Sequence, residues 1–346
     1  EREGVLKVSV EMEREAALIP VRRAVLNPGA PAMAFVRAAA EDAYDRLIFP
    51  SVEREMRSLL TEQADEGAIK MFGLNLKPLL MQPPVKGFVT MGLDPGYRNG
   101  CKVAVVDATG KVLDTAVVYP TFSQRKKEEA IDTLAKLIRR HGVAHIAIGN
   151  GTASRETEQM TVELIRRLGG GVSYMIVNEA GASVYSASKL AAEEFPDYDV
   201  NLRSAVSIAR RLQDPLAELV KIDPKSIGVG QYQHDMPQAR LDETLSGVVE
   251  DCVNAVGVDL NTASAPLLSY VAGLNNTTAR NIVKYREENG AFTTRKGVLK
   301  VPKLGPKAFE QCAGFLRVPE SRNVLDHTGV HPESYGAAEA LLTLCG

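Results

Sequence analysis

Two segments of this sequence are similar to each other: VAGLNNTTARNIVKYR (residues 271–286) and VPKLGPKAFEQC (residues 301–312). A shift of thirty residues aligns them. Each contains a tight turn centred on a leucine, Leu274 or Leu304, and continues into a helical pattern. The repeat therefore predicts two consecutive helical hairpins.

A turn that leads into a helix presents unpaired backbone N–H groups at the positive end of the helix dipole, which suits a phosphate. We expect Gly305 to supply the positive φ of such a turn, with Asn275 as the next best residue type in the first copy. The alternative interpretation is an ordinary pair of helical hairpins with solvated lysines. The residues predicted to contact nucleic acid are Gly273, Leu274, Asn275, Asn276, Thr277, Thr278, Arg280, Lys284, Lys300, Lys303, Leu304, Gly305, Pro306 and Lys307.

The charge of this region differs from that of the remaining sequence. The whole chain has a formal net charge of −2, whereas nine Lys and Arg residues stand against three glutamates between Asn261 and Pro319. A local excess of positive charge is typical of a surface that binds a polyanion. The basic residues are Arg280, Lys284, Arg286, Arg295, Lys296, Lys300, Lys303, Lys307 and Arg317.

Length and composition bound the remaining possibilities. At 346 residues the chain can form two or three domains, and it contains no apolar run long enough to cross a membrane. Its four cysteines are scattered without a C-x-x-C pair, which predicts neither zinc nor a disulfide framework and favours the cytoplasm. We expect no metal or cofactor. The absence of an initiator methionine indicates a fragment.

Residues 1–85 have mainly helical patterns, including helices over Ala34–Phe49 and Ser51–Ala64 that are expected to break at Pro50. The prolines Pro78, Pro83 and Pro84 then predict a domain boundary.

From residue 86 the pattern becomes that of an α/β layer: three β-branched runs in an antiparallel meander, then alternating helices and strands around a mixed sheet. Asp94 closes the first strand and Glu179 follows the last, so both lie where such sheets bind ligands. Two carboxylates could hold Mg²⁺ for phosphodiester cleavage, but that chemistry requires three or four. Gly149–Asn150 and Arg203–Ser204 stand where further acids would be needed. Alternatively, Asp94 is a turn residue in Asp-Pro-Gly.

Longer strings resemble one family over essentially the whole chain. They are MGLDPGYRNGCKVAVVD (91–107), NEAGASVYSASKLAAEEFP (178–196), IGVGQYQHDM (227–236), VVEDCVNAVGVDLNTAS (248–264), the hairpin pair and LDHTGVHPESY (325–335). Together they resemble the Tex family of bacterial transcription accessory proteins. The resemblance implies four parts: a helical region (1–85), a YqgF-type RNase H-like domain (86–220), a tandem helix-hairpin-helix domain (235–320) and the start of a further helical unit (321–346). Full-length members of this family carry an OB-fold RNA-binding domain after these parts, so the resemblance implies that this sequence is a central fragment without that domain.

The resemblance further implies similarity to a eukaryotic transcription elongation factor and work near RNA polymerase. Nucleases related to YqgF carry acids at positions matched here by Asp94 and Glu179, while the other acid positions fall near Gly149–Asn150 and Arg203–Ser204. We therefore predict a transcription accessory protein that is not an enzyme. It binds RNA or DNA largely independently of sequence and has RNA polymerase or the ribosome as a protein partner. The alternatives are a Mg²⁺-dependent, structure-selective nuclease and a protein-interaction scaffold.

Overall fold

The computed structural model describes residues 4–345. The chain separates into two compact units, residues 1–70 and residues 71–346. The first three residues and Gly346, which the predicted domain ranges include, lie outside the described residues. None of the described helices is long and apolar enough to cross a membrane. The four domain ranges expected from the sequence remain a prediction.

In the first unit, helix α1 (Arg14–Val25) packs on α2 (Met33–Ala43) around buried Leu18 and Tyr44. Two arginines of α1 tie the helices together, since Arg14 donates to Asp45 at 2.8 Å and Arg22 donates to Glu41 at 2.6 Å.

The prediction that the helical pattern breaks at Pro50 was wrong. After α2 the chain continues as a π-helical turn (Tyr44–Ile48) and then as α3 (Phe49–Leu80). Proline has no N–H to donate and its ring crowds the preceding turn. The wider π turn, in which the Phe49 N–H bonds the carbonyl of Tyr44, accommodates that ring without ending the helix.

The second unit contains the predicted mixed sheet. Its five strands stand in the order β3-β2-β1-β4-β5. The first three strands are antiparallel, whereas β4 and β5 run parallel to β1. This order and direction is that of an RNase H-like fold, as expected. The strands are β1 (Thr90–Asp94), β2 (Cys101–Val106), β3 (Val112–Val118), β4 (His145–Gly149) and β5 (Ser173–Val177).

Helices cover both faces of the sheet. On one face α4 (Gln124–His141) and α5 (Ser154–Leu168) bury the larger core. On the other, α8 (Val200–Gln213) lies directly on β1. Gly92 makes this close approach possible, because a Cβ there would stand 2.2 Å from the carbonyl oxygen of Ala205.

Shorter helices complete this part of the unit. After β5 the chain forms two short helices, α6 (Ala182–Ala187) and α7 (Lys189–Glu194). Ser188 separates them because it adopts an extended conformation and its hydroxyl caps the amide of Ala191. Helix α9 (Pro215–Leu219) follows α8.

The hairpin region begins with α10 (Gln238–Val256). A two-stranded parallel pairing of β6 (Val258–Asp259) with β7 (Leu316–Arg317) closes the region. Between these strands lie α11 (Ala265–Ser269), α12 (Asn276–Asn289), a 3-10 helix (Arg295–Lys300) and α13 (Pro306–Cys312). Beyond β7, the chain forms a 3-10 turn (Val324–His327), and α14 (Tyr335–Cys345) follows.

Candidate nucleic-acid interface and carboxylate pair

The first hairpin joins α11 to α12 and satisfies its own amides. Gly273 has a φ of 81°, and the Leu274 N–H bonds the Val271 carbonyl at 3.0 Å. The Asn275 side chain then accepts from the amides of Thr277 and Thr278 at 2.9 and 3.0 Å. This capping box occupies the N–H groups that would otherwise point outward from the start of α12.

The second hairpin has the same path but a different cap. Its Leu304 N–H bonds the Val301 carbonyl at 3.2 Å, and α13 begins with Pro306 at its first position. The N-cap residue, Gly305, has no side chain and offers no capping acceptor. The amides in the first turn of α13, including that of Lys307, therefore receive no side-chain cap.

The expectation of positive φ at Gly305 and Asn275 was wrong. Their φ angles are −85° and −131°, and the left-handed residues lie two positions earlier, at Gly273 and at Lys303 (φ 66°). An N-cap residue must be extended to start a helix, so the reversal of the chain falls before the central leucine. The thirty-residue repeat itself holds, because equivalent residues adopt equivalent conformations.

The two hairpins lie against each other. A Cβ added to Gly273 would stand 2.6 Å from Gln311 Cβ and 3.1 Å from the Ala308 carbonyl oxygen, both on α13. The Asn281 side chain on α12 donates to the Pro302 carbonyl at 2.8 Å. The structure thus brings together the two segments that the sequence singled out.

Most of the predicted contact residues face solvent, while three anchor the hairpins. Thr278 and Leu304 are buried and Leu274 is half-buried. The exposed members are Gly273, Asn275, Asn276, Thr277, Arg280, Lys284, Lys300, Lys303, Gly305, Pro306 and Lys307.

Three of the nine basic residues do not contribute to a basic surface. Arg295 is fully buried and donates to the carbonyls of Leu325, Asp326, Thr328 and Val330. Arg286 donates to the Leu260 carbonyl, and Arg317 donates to the carbonyls of Gly314 and Leu316. Their guanidinium groups hold loops together, and burial lowers the pKa of both Arg286 and Arg317. Six of the nine basic residues are therefore exposed, against three exposed glutamates, so the excess of positive charge on the surface is smaller than the sequence count indicated.

Sequence reasoning missed the residue that fixes the first hairpin. Asn254, near the end of α10, accepts from the Ala272 amide at 3.1 Å and donates to the Tyr270 carbonyl at 3.1 Å. An asparagine in a strongly amphipathic helix was the available signal, since its side chain competes for backbone groups.

The carboxylate pair lies at the carboxyl ends of the sheet strands, as expected. Asp94 ends β1, and Glu179 follows β5 and folds over the loop after β4. A Cβ at Gly149 or at Gly151 would stand 2.1 or 1.7 Å from a Glu179 carboxylate oxygen. The Glu179 amide donates to Asn150 Oδ1 at 3.0 Å. Glycine at position 149, where an acid would extend the set, therefore leaves the space that Glu179 occupies.

Burial and like charge make the pair electrostatically unusual. Burial, followed by the charge of Glu179, raises the pKa of Asp94 to about 6, and the Lys102 ammonium opposes this rise. One Glu179 oxygen, Oε2, is buried and accepts no hydrogen bond within residues 4–345. No described hydrogen bond joins the Asp94 carboxylate to the Asp-Pro-Gly turn, so the turn alternative gains no support.

The structure does not complete a metal site. Within the described residues, no group of three or more His, Cys, Asp or Glu side chains could hold a metal ion. Ser204 is buried, and Arg203 donates to the carbonyls of Ser186 and Phe195. Burial lowers the pKa of Arg211 to about 10, whereas the charges of Glu218 and, less strongly, Glu179 oppose that shift. A two-metal arrangement does not fit these residues.

Family comparisons agree with this organisation. Residues 88–213 match the model described as the Tex protein YqgF-like domain, residues 253–317 match a helix-hairpin-helix motif, and residues 323–346 match an HHH domain. The RuvC structure from Thermus thermophilus aligns with a TM-score of 0.30 and 15% identity, covering 38% of this chain and 95% of RuvC.

Relatives of known sequence match more extensively. The chain is 54% identical to the uncharacterised protein YdcI of Bacillus subtilis, over all of this chain and 48% of that protein. It is 60% identical to the transcriptional accessory protein Tex of Neisseria gonorrhoeae, over 86% of this chain and 39% of that protein. The chain thus spans half or less of the length of these curated relatives. Over that span, its domains and its identity to proteins named Tex show that the chain belongs to the Tex protein family.

Proposed function

We propose that the chain binds RNA or DNA through the backbone of its paired hairpins, Gly273–Thr278 and Lys303–Lys307, and does not cleave it. Exposed Arg280, Lys284 and Lys300 add charge beside them. Contacts of this kind position a phosphate backbone without reading bases, so binding is largely independent of sequence and falls steeply with salt.

One observation carries this proposal: the second hairpin leaves the first-turn amides of α13 without a side-chain cap, between two exposed lysines. A phosphate oxygen is the acceptor those amides need, and Lys303 and Lys307 supply complementary charge. In the first hairpin the Asn275 side chain already occupies the equivalent amides. We therefore assign the stronger phosphate contact to the second hairpin.

The backbone of Lys303 supports the same assignment. A left-handed conformation costs a residue with a Cβ roughly 1–2 kcal/mol, and such strain is concentrated at functional sites. The equivalent position of the first hairpin has a glycine, which adopts this conformation readily. Lys303 is also exposed, so its charge is available beside the uncapped start of α13.

Family membership supports a role in transcription. Relatives at 58–60% identity are named transcriptional accessory protein Tex and protein tex. A cytoplasmic location and a protein partner such as RNA polymerase or the ribosome are part of this proposal. If such a partner binds a surface of the chain other than the hairpins, a pull-down should still recover it after the hairpin charges are reversed.

The test reverses charge at the second hairpin with Lys303→Glu and Lys307→Glu together. Fluorescence anisotropy across a salt series should show weaker binding to every sequence. If the two lysines each contact one phosphate, their loss should also make the slope of log affinity against log salt shallower by roughly 1.8 for duplex DNA. Lys136→Glu with Lys189→Glu, two exposed lysines of the YqgF-like domain, is the matched control. Equal losses in both double variants would contradict a specific role for the hairpin.

A Mg²⁺-dependent nuclease is the second candidate, and only the unpaired Glu179 Oε2 beside Asp94 favours it. The missing third carboxylate stands against it. Incubating branched and single-stranded substrates with Mg²⁺ or Mn²⁺ separates the two functions. We expect intact substrates, whereas cleavage that disappears in Asp94→Asn would overturn the non-cleaving assignment.

A further inference from the structure

An exposed pair of aromatic rings follows β3. Tyr119 is 39% exposed and Phe122 is 58% exposed, and both lie on the short connection between β3 and α4. Their ring centroids lie 5.2 Å apart with an interplanar angle of 88°. In this edge-to-face arrangement one ring supports the other and leaves ring surface open to solvent.

Local structure holds both rings in place. Gly100 lies against the Tyr119 ring, where an added Cβ would stand 2.8 Å from Cε1. Phe122 precedes Ser123, whose side chain caps α4 by accepting from the Lys126 amide at 3.2 Å. A hydrophobic residue before an N-cap commonly packs on the fourth helical residue, here Lys127. More than half of Phe122 nevertheless remains exposed, so a stapling role leaves most of its ring unexplained.

The pair lies at the same end of the sheet as the carboxylates. Strand β3 is antiparallel to β2, and β2 is antiparallel to β1, so Val118 and Asp94 end their strands on the same side. The pair is separate in sequence from the paired hairpins, which lie beyond residue 270.

Basic residues stand close to the two rings along the chain, since Arg125 and Lys126 follow Phe122 and Arg98 precedes Gly100. Arg125 and Lys126 stand in the first turn of α4 and share one partner, Glu129, at 3.2 and 2.6 Å. Arg98 is exposed on the loop after β1, and Lys127 pairs with Glu163 at 2.8 Å. On the same side, Glu156 accepts from the Tyr97 hydroxyl at 2.8 Å. Arg98, Arg125 and Lys126 are all exposed, and their charge complements a phosphate backbone.

We propose that Tyr119 and Phe122 form a stacking platform for unpaired bases of a single-stranded nucleic acid, with Arg98, Arg125 and Lys126 contacting its phosphates. Exposed aromatic rings among cations are the features by which proteins hold single strands without selecting a sequence. A duplex hides its base faces, so the platform discriminates single strands from duplexes. This inference rests on the proposed function only in that the chain binds nucleic acid.

The test uses the absence of tryptophan from the chain. Phe122→Trp introduces a single reporter whose fluorescence a stacked base quenches. Phe88→Trp is the matched control, because Phe88 is 49% exposed and lies at the opposite end of β1. Oligo(dT), oligo(U) and a blunt duplex of equal length are titrated against both variants, while anisotropy reports binding independently.

We expect both single strands to quench the fluorescence of the Phe122→Trp variant saturably and the duplex to quench it little. None of the three should quench the fluorescence of the Phe88→Trp variant. Phe122→Ala should lower single-strand affinity about tenfold, Phe122→Tyr should restore it, and duplex affinity should not change. If anisotropy shows single-strand binding without quenching of the Phe122→Trp variant, or Phe122→Ala weakens duplex binding equally, the platform is wrong and the hairpin proposal survives. A platform that contacts a protein partner instead gives the same unquenched result.

Discussion

Asp94 provides a quantitative test of the carboxylate pair. Burial and the neighbouring Glu179 raise its pKa from an ordinary 3.8 to about 6. Below the ordinary value the carboxyl is protonated in both the folded and the unfolded chain, so the folded state has no penalty. Between pH 3.8 and about 6, Asp94 has lost its proton in the unfolded chain but keeps it in the folded chain. The penalty therefore grows with pH and is complete above about 6.

The size of this penalty follows from the pKa rise. One pKa unit corresponds to about 1.4 kcal/mol, so a rise from 3.8 to about 6 destabilises the ionised folded state by about 3 kcal/mol. Asp94→Asn removes the ionisable group. We expect it to raise the free energy of unfolding by up to about 3 kcal/mol at pH 7.5 and to have little effect at pH 3.5.

Urea denaturation followed by circular dichroism, at pH values from 3.5 to 8, measures both ends of this profile. Asp114 on β3 is the matched control with the opposite sign, because a hydrogen bond from His141 lowers its pKa. Asp114→Asn should reduce stability at neutral pH, and this loss should disappear as the pH falls. A stability gain from Asp94→Asn that is absent, or equal at pH 3.5 and 7.5, would refute this account of the pair.

Substitutions at three other residues test the hairpin region. Lys303→Gly relieves the strain of the left-handed backbone, so we expect it to raise the free energy of unfolding by about 1 kcal/mol while weakening nucleic-acid binding. Lys303→Ala should weaken binding without raising stability. Urea unfolding measures the stability of both variants, and anisotropy measures their binding. Gly273→Ala adds a Cβ against Gln311 and strains the turn, so we expect a loss of about 2 kcal/mol in the same unfolding assay, and an unchanged midpoint would contradict the packing. Arg295→Met leaves four carbonyls without their donor and should cost about 3 kcal/mol or more, and limited proteolysis should then cut faster within residues 321–334 than in wild type.

Much of the fold could be predicted because its signals are local. The β-branched runs of β1, β2 and β3 alternate with turn residues, and α4 ends at Gly142 in the left-handed conformation that commonly stops helices. Pro50 shows the limit of such signals. A helix can pass a proline when a wider turn absorbs the missing donor, and the sequence contains no mark for that turn.

The candidate sites were predictable in position but not in detail. The repeat located both hairpins, yet the conformations of Lys303 and Gly305 depend on where the chain reverses relative to a buried leucine. Arg295 was counted as surface charge because composition cannot distinguish a solvated arginine from one that holds a distant loop. The aromatic pair after β3 carried no sequence signal, since its importance lies in exposure that only the packing of α4 reveals.

The most direct test of the central claim is amide NMR of the two hairpins during titration with two duplexes of unrelated sequence. We expect the amides of Gly305 and Lys307 to shift strongly and identically with both duplexes, while those of Thr277 and Thr278, bonded to Asn275, move little. Unchanged amides at Gly305 and Lys307 in the bound state would contradict phosphate binding at the uncapped start of α13. Equal shifts in both hairpins would contradict the assignment of the stronger contact to the second one.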